Sequence, residues 1–372
     1  MKSNMGKSAV DRIACALENF LVDFDKQQFI KKALDGLDNL ELKQRVGHII
    51  NVLHQFLPDD FEQTVPVLSQ VKDNWDYGDP NDTGRSFAAW PIVDYVGIYG
   101  LDYPEISLSL LKGLTCLFSA EFAIRPFIVK YPDYCHQQFL LWVNAKNEEV
   151  RRLVSEGTRP RLPWGMQLKE FIHDPKINLP LLDQLKDDES LYVRRSVANH
   201  LNDIAKDNPE VVIATCKNWK ISSGNDQNVD WVIKHATRTL IKSGHPSAFS
   251  LLGYTENPLV DIFNFSLSKK HLLMGDAINF TFQLKSGSTK TQSLVIDYAI
   301  HFFKANGKQR SKVFKLKNII LKGNEIISLF KNHSFKPIST RKYYSGEHKI
   351  EILINGKSTE IKIFTLKLST KK

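Results

Sequence analysis

Residues 149–164 read EVRRLVSEGTRPRLPW, the pattern of a helix followed by a short connecting segment. Three apolar residues recur at spacings of three and four, so they share one helical face and are expected in a core: Val150, Leu153 and Val154. Arg152 and Glu156, four residues apart, share the opposite face. The stretch therefore predicts an amphipathic helix whose charged side leads directly into Arg159 and Trp164.

Two further segments repeat this helix. Residues 192–203 (YVRRSVANHLND) and, more weakly, residues 231–240 (WVIKHATRTL) have the same apolar spacing. Val150 and Val193 are 43 residues apart, and Val193 and Val232 are 39 apart, which matches the period of two-helix HEAT-type repeats. We therefore predict a HEAT-like α-helical solenoid built from stacked repeats.

Superposing the three segments aligns their charged residues. One repeat position holds Arg152, Arg195 and Lys234, and the position one turn later holds Glu156, Asn199 and Arg238. The concave face of a solenoid would then carry a column of cations interrupted by a few carboxylates. Such a surface is suited to a polyanion.

The pattern changes near residues 257–258, where alternation with a period of two begins. This alternation is typical of strands with one buried face, and it occurs in residues 278–284, 311–316, 348–354 and 360–366. The dipeptide Asn355-Gly356 between two such runs predicts a tight hairpin. Roughly seven strands in the last third favour a small immunoglobulin-like β-sandwich. We therefore predict two domains, residues 1–257 and residues 258–372.

The net charge of +9 comes entirely from the C-terminal third. Residues 261–372 contain 21 Lys+Arg and 7 Asp+Glu, a net charge of +14, whereas residues 1–260 carry a net charge of −5. A module this basic is attracted to phosphates from a distance, although a lysine-rich surface also promotes solubility. The charge distribution favours nucleic acid as a partner.

Several classes of protein are disfavoured by what the sequence lacks. No apolar run reaches the roughly 18–20 residues of a membrane span, and the first residues lead into no signal-peptide core. The cysteines and the repeat histidines have no metal-ligand spacing: Cys15, Cys116, Cys135, Cys216, His173, His200 and His235. No phosphate loop or nucleophile elbow is present. We expect a cytoplasmic protein, associated with the bacterial nucleoid, that uses neither metal nor cofactor and contacts no membrane.

Two carboxylates and one indole join Glu156 as candidate site residues, each with a structural alternative. Glu121 lies in an apolar stretch where a buried carboxylate needs a partner or a purpose, and Arg125 could be a purely structural partner. Asp203 continues the charged face of its helix, and an ordinary surface charge is the alternative. Trp164 follows two prolines in a connector, where it could be exposed to a ligand, whereas the other five tryptophans are expected in the core.

These features together resemble the AlkC branch of the AlkD/AlkC DNA alkylation-repair glycosylases. The resemblance rests on the HEAT-like repeats, on Arg152, Glu156, Arg159 and Trp164, on residues 120–127 (AEFAIRPF) and on the β-rich tail. It implies hydrolysis of the N-glycosidic bond of cationic bases such as 3-methyladenine and 3-methylcytosine, without base flipping. It also implies a monofunctional enzyme that acts as a monomer on alkylated double-stranded DNA in base excision repair.

The resemblance also implies roles for individual residues. Glu156 would position a water molecule and stabilise a sugar cation, with Glu121 and Asp203 beside it, and Trp164 would lie against the damaged nucleotide. Five residues would hold phosphates around the lesion: Arg152, Arg159, Arg195, Lys234 and Arg238. The basic tail would act as a second jaw on a bent duplex.

Two other functions remain compatible with the sequence. A non-catalytic HEAT-repeat protein that binds damaged or branched DNA needs the basic residues but not the acids. A HEAT scaffold for a protein partner would show little affinity for DNA. Release of alkylated bases from DNA separates the enzyme from both alternatives.

Overall fold

The computed structural model describes residues 2–368, which form two compact units, one ending at Ala236 and the other beginning at Thr237. The first unit is helical. Its α-helices are α1 (Lys7–Glu18), α2 (Lys26–Leu34), α3 (Leu42–His54), α4 (Phe61–Val71), α5 (Trp90–Tyr99), α6 (Pro104–Leu114), α7 (Arg125–Lys130), α8 (Pro132–Trp142), α9 (Glu148–Gly157), α10 (Lys169–His173), α11 (Leu179–Leu185), α12 (Leu191–Ile204), α13 (Pro209–Ser222) and α14 (Gln227–Ala236).

The repeat helices predicted from the sequence are α9, α12 and α14, and α12 packs against both of the others. Val150, Leu153 and Val154 of α9 are buried as expected. Polar caps define where these helices begin, since the Asn147 side chain accepts a hydrogen bond from the amide of Glu149 at 2.7 Å. The prediction of a HEAT-like helical region is confirmed.

The second unit contains two short helices followed by a β-sandwich. The elements are α15 (Arg238–Lys242), α16 (Pro246–Leu251), β1 (Val260–Leu267), β2 (His271–Leu273), β3 (Ala277–Ser286), β4 (Gln292–Phe303), β5 (Gln309–Leu321), β6 (Ile326–Ser334), β7 (Gly346–Ile354) and β8 (Lys357–Lys367). One sheet has the order β1-β3-β6 and the other the order β2-β8-β7-β4-β5, with β2 and β8 parallel and all other pairs antiparallel.

Alternating burial places one face of each sheet in a shared apolar core. Phe280 and Phe282 of β3 meet Ile296 and Tyr298 of β4 and Ile352 of β7 in this core. The four predicted alternating segments lie within β3, β5, β7 and β8. The predicted hairpin forms between β7 and β8, where Ile354 pairs with Lys357. The intervening Asn355 and Gly356 both have positive φ, at 45° and 73°, as a two-residue turn of this type requires.

The boundary between the two compact units, at residues 236–237, precedes the change from helices to strands along the chain. The helical pattern ends with α16 and strands begin with β1, on either side of the predicted change near residue 257, but α15 and α16 belong to the second unit. The cause is a close approach that sequence patterns do not reveal. Gly244, between α15 and α16, has φ +78°, and a β-carbon there would lie 2.5 Å from the carbonyl oxygen of Gly356. The two short helices therefore pack against the β7–β8 hairpin.

Candidate active site

A pocket of about 540 Å³ in the first unit is lined by two of the three acids predicted from the sequence, Glu121 and Glu156, whereas Asp203 does not line it. One wall is charged and contains Glu121, Arg152, Glu156 and Arg159. The other wall is aromatic and contains Phe87, Trp90, Phe118 and Phe122, with Trp164 also lining the pocket. The pocket therefore combines ionised groups with flat apolar surfaces.

The charged wall is built by the packing of α9 on α12. Arg152 and Glu156 lie on the face of α9 opposite its apolar residues, as the periodicity predicted. α12 contributes the buried residues Ser196 and Asp203, which do not line the pocket but contact Glu156 and Arg159 of the charged wall. Glu121 lies in the irregular segment between α6 and α7 and reaches the same wall.

Acids and cations alternate along this wall in one connected network. Arg152 Nη1 lies 2.8 Å from Glu121 Oε2, and its Nη2 lies 3.5 Å from Glu156 Oε1. Arg159 Nη1 donates to Glu156 Oε1 at 2.5 Å, and Arg159 Nη2 lies 2.8 Å from Asp203 Oδ2. Lys206 Nζ donates to the other oxygen of Asp203 at 2.7 Å. Glu121, Glu156 and Asp203 thus belong to a single buried cluster.

Glu156 has hydrogen-bond partners on both of its carboxylate oxygens. Its residue is 5% exposed, and Ser196 Oγ donates to Oε2 at 2.5 Å in addition to the arginine contacts on Oε1. Burial opposes ionisation, but the charges of Arg152 and Arg159 and the Ser196 hydroxyl outweigh it and lower the pKa of Glu156 below its usual value. Glu156 is therefore a fixed negative charge in the wall.

Glu121 has a different environment. Ser119 Oγ donates to Glu121 Oε2 at 2.8 Å, and no hydrogen bond from any residue that the structure describes reaches Oε1. Burial raises the pKa of Glu121 above its usual value, against the opposing charge of Arg152, and the charge of Glu156 adds to the rise. One oxygen of Glu121 is therefore available for a hydrogen bond to a ligand in the pocket.

The two structural alternatives for these acids have different outcomes. The alternative of a structural Glu121–Arg125 ion pair is wrong, because Glu121 pairs with Arg152 and the guanidinium of Arg125 donates to main-chain carbonyls. The i,i+4 pair of Arg152 and Glu156 does form, but inside the pocket wall. Here the ion pair and the candidate site are the same feature.

Trp164 is exposed, as its position in the connector predicted. The residue is 55% exposed, and its φ of +65° is rare for a bulky side chain. Its carbonyl oxygen accepts a hydrogen bond from Lys43 Nζ. The other tryptophans are buried except Trp231, which is half-buried and stacks on His235 with ring centroids 3.9 Å apart.

The five predicted phosphate-binding residues lie in unlike environments. Arg159 is buried and Arg152 is partly buried, and both are engaged with carboxylates, so their contacts indicate that they orient the acids. Arg195 and Lys234 are exposed on α12 and α14. Arg238 lies on α15 in the second unit. A role in phosphate binding stays a prediction for all five.

The aromatic wall was not anticipated as part of the site. Trp90 stacks on Phe118 and Phe122 with ring centroids 5.1 and 5.3 Å apart, and its indole Nε1 donates to Asp94 at 2.6 Å. The spacing of Phe118 and Phe122, four residues apart, is a signal that could have indicated a shared aromatic face. Ser196 has no comparable signal, because its contact with Glu156 depends on how two helices pack.

The arrangement is chemically suited to stabilising positive charge. Carboxylates on one wall attract a cation, and the faces of aromatic rings on the other wall do the same through their quadrupoles.

Within residues 2–368, no group of three or more His, Cys, Asp or Glu side chains is arranged to hold a metal ion. None of the helices in that range has both the length and the apolar character needed to cross a membrane.

Comparisons with known proteins agree with this architecture. The family model for the C-terminal Ig-like domain of the uncharacterised protein YhaZ matches residues 261–368. The Bacillus subtilis (strain 168) protein YhaZ is 38% identical over 335 residues, which are 90% of each chain. The structure of the Pseudomonas fluorescens alkylpurine DNA glycosylase AlkC, bound to DNA containing an abasic site analog, is similar with a TM-score of 0.86 and 36% identity. That similarity covers 98% of this chain and 99% of the AlkC chain.

The agreement extends over both units of the chain, from the helical repeats to the Ig-like sandwich. The chain therefore belongs to the AlkC-type family of HEAT-like repeat DNA alkylation-repair glycosylases.

Proposed function

We propose that this protein is a monofunctional DNA glycosylase that removes cationic N-alkylated bases, chiefly 3-methyladenine and 3-methylcytosine, from double-stranded DNA. The observation that carries the proposal is the network of Glu121, Glu156 and Asp203, the first two of which line a pocket together with several aromatic rings. The similarity of this chain to the DNA-bound AlkC structure supports DNA as the partner. We further propose that it acts as a monomer.

The chemistry requires little acid catalysis. A base methylated at N3 carries a positive charge, so when the N-glycosidic bond breaks, the bonding electron pair leaves with a neutral base. The sugar becomes an oxocarbenium-like cation, to which water adds with loss of a proton. An enzyme for this reaction must stabilise the sugar cation and accept that proton.

The geometry supports dividing these two tasks between two acids. The sequence suggested Glu156 for both, but Glu156 has its oxygens occupied by Arg159 and Ser196 and is held ionised. It is suited to electrostatic stabilisation of the cation. Glu121 keeps a free oxygen and a raised pKa, so it is suited to binding the water and accepting its proton.

A basic cleft in the second unit supports DNA as the partner of that unit. The cleft has a volume of about 660 Å³ and is lined by five cations: Lys304, Arg310, Lys312, Arg341 and Lys342. Lysines and arginines clustered in this way bind phosphates and release counterions from DNA. We propose that this cleft contacts the sugar–phosphate backbone.

Excision without base flipping is the finer part of the proposal and rests on the family resemblance. A fluorescent base analogue placed beside the lesion reports unstacking, so its emission on binding tests this part separately. A large increase in the emission of this analogue, as expected when the neighbouring lesion is extruded from the stack, would contradict it.

The decisive experiment incubates the purified protein with methylated duplex DNA and identifies the released bases by chromatography. Release of 3-methyladenine that is lost in both Glu156→Gln and Glu121→Gln supports the proposal. Binding to DNA without release of any base would instead indicate a DNA-binding protein. Absence of both would favour a protein scaffold.

A further inference from the structure

Arg125 is a buried arginine with an unusual set of partners. It is the first residue of α7 and is 0% exposed. Its guanidinium donates to three main-chain oxygens: from Nε to Met166 at 2.5 Å, from Nη1 to Gly157 at 2.8 Å and from Nη2 to Arg159 at 2.8 Å. Burial, together with the charge of Arg159, lowers the pKa of Arg125 to about 10, so it remains a cation at neutral pH.

All three carbonyls belong to one segment, residues 157–168, which runs from the last residue of α9 to the residue before α10. The segment has little regular structure, and its own main-chain contacts include a hydrogen bond from the amide of Leu168 to the carbonyl of Pro160 at 3.1 Å. Because a planar guanidinium presents donors in fixed directions, it can hold three carbonyls in one arrangement. The conformation of this segment therefore depends on Arg125.

The segment carries two groups that face the pocket. Arg159 links Glu156 to Asp203, and its own carbonyl accepts from Arg125. Trp164 adopts a φ of +65°, in the left-handed region that residues other than glycine rarely occupy, and its carbonyl accepts a hydrogen bond from Lys43. A backbone in this region persists only when surrounding contacts hold it.

We propose that Arg125 is a positioning residue for base excision, which sets the orientation of Arg159 and Trp164 by fixing the backbone of residues 157–166. The inference rests on the proposed glycosylase function. Arg125 does not line the pocket and contacts none of the three acids of the network, so it acts through the segment it holds. Reacting groups that are displaced by about 1 Å lose on the order of 100-fold in rate.

A second buried arginine supplies a matched control. Arg45 of α3 is also buried, and it donates to the carbonyls of Leu40 at 3.0 Å and Met5 at 3.1 Å. None of these residues lines the pocket. Arg45 differs in one contact, since its Nη2 also lies 3.5 Å from Asp38 Oδ1. Arg45→Lys and Arg125→Lys therefore make the same chemical change at two buried arginines that donate to main-chain carbonyls, but only Arg125 holds the segment beside the acids.

The test measures single-turnover base release at saturating protein, affinity for DNA with an abasic site analogue, and exposure of Trp164. The last is obtained from acrylamide quenching of tryptophan fluorescence, as the difference between each protein and the same protein carrying Trp164→Phe. We expect Arg125→Lys to slow release on the order of 100-fold, to retain DNA binding and to change the quenching of Trp164. Arg45→Lys should lower thermal stability and leave the release rate and the quenching unchanged.

Wild-type release by folded Arg125→Lys, or an equal loss in Arg45→Lys, would overturn the inference. If Arg125→Lys does not fold, Gly165→Ala perturbs the same segment, because its β-carbon would lie 2.8 Å from Leu162 Cδ2. An unchanged release rate in that variant would also overturn it. If the unaltered protein releases no base, the proposed function fails, whereas the quenching comparison still decides whether Arg125 holds the segment.

Discussion

Replacing Glu156 with glutamine removes the charge at the centre of the acid network while keeping the shape of the side chain. Glu156 is 5% exposed and contacts Arg152, Arg159 and Ser196. Its field is therefore little screened by water. The proposed function predicts that Glu156→Gln slows base excision strongly, because a developing sugar cation loses a nearby negative charge.

The size of this effect follows from Coulomb's law for a sugar cation at contact distance from Glu156. Two unit charges about 4 Å apart interact by about 4 kcal/mol at an effective dielectric constant of about 20, which corresponds to roughly a thousandfold in rate. Arg152 and Arg159 offset part of this field, so we expect a loss of about 100- to 1000-fold. The free energy of unfolding should fall by about 1–3 kcal/mol, because each arginine keeps a second carboxylate, Glu121 or Asp203.

The assay compares single-turnover release of 3-methyladenine with DNA affinity measured by fluorescence anisotropy. Asp188→Asn is the matched control, because the Asp188 side chain is only 6% exposed and accepts two hydrogen bonds from Arg151 of α9, at 2.6 and 2.9 Å, outside the pocket. It should lose at least as much stability and keep its activity. A folded Glu156→Gln protein with the wild-type release rate would refute the electrostatic reasoning.

Three further outcomes follow from the same geometry. The pKa of Glu121 lies above its usual value and only the carboxylate accepts a proton, so excision should decline as the pH falls through that raised pKa. Glu121→Gln should remove this part of the pH–rate profile, and an unaltered profile argues against Glu121 as the base. Trp164→Gly should slow excision about tenfold, which is the approximate contribution of a cation–π contact. The melting temperature should change little, because glycine tolerates the φ of +65°. Calorimetry measures the melting temperature, and a large drop in it contradicts this expectation. Lys342→Ala should reduce the slope of log K against log salt by about 0.9, as measured by DNA titrations at several salt concentrations, and an unchanged slope removes Lys342 from the DNA contact.

Local patterns were sufficient for most of the architecture. The apolar face of α9 and the strands β3 and β7 follow from spacings within about ten residues, which depend on helical and strand geometry alone. The Asn355-Gly356 turn likewise follows from the backbone angles that these two residue types tolerate. Glu121, Glu156 and Asp203 could be chosen as candidates because residue type, register and family resemblance pointed to them.

The pairing of charges could not be obtained in this way. Arg152 and Arg195 occupy the same repeat position, yet Arg152 is partly buried against Glu121 and Glu156 while Arg195 is exposed. Which of two equivalent arginines becomes buried depends on the segments packed above it, here the irregular turn before α7. The same holds for Arg125, whose partners are carbonyls 32 to 41 residues away.

Periodicity along the chain thus accounts for the helices, the strands and the presence of acids beside a cationic face, because these properties are decided over a few neighbouring residues. Long-range packing accounts for the division between an ionised Glu156 and a Glu121 with a free oxygen, and for the attachment of α15 and α16 to the β-sandwich. The physical reason is that burial and charge pairing are set by contacts between distant segments, and those contacts exist only after the chain has folded.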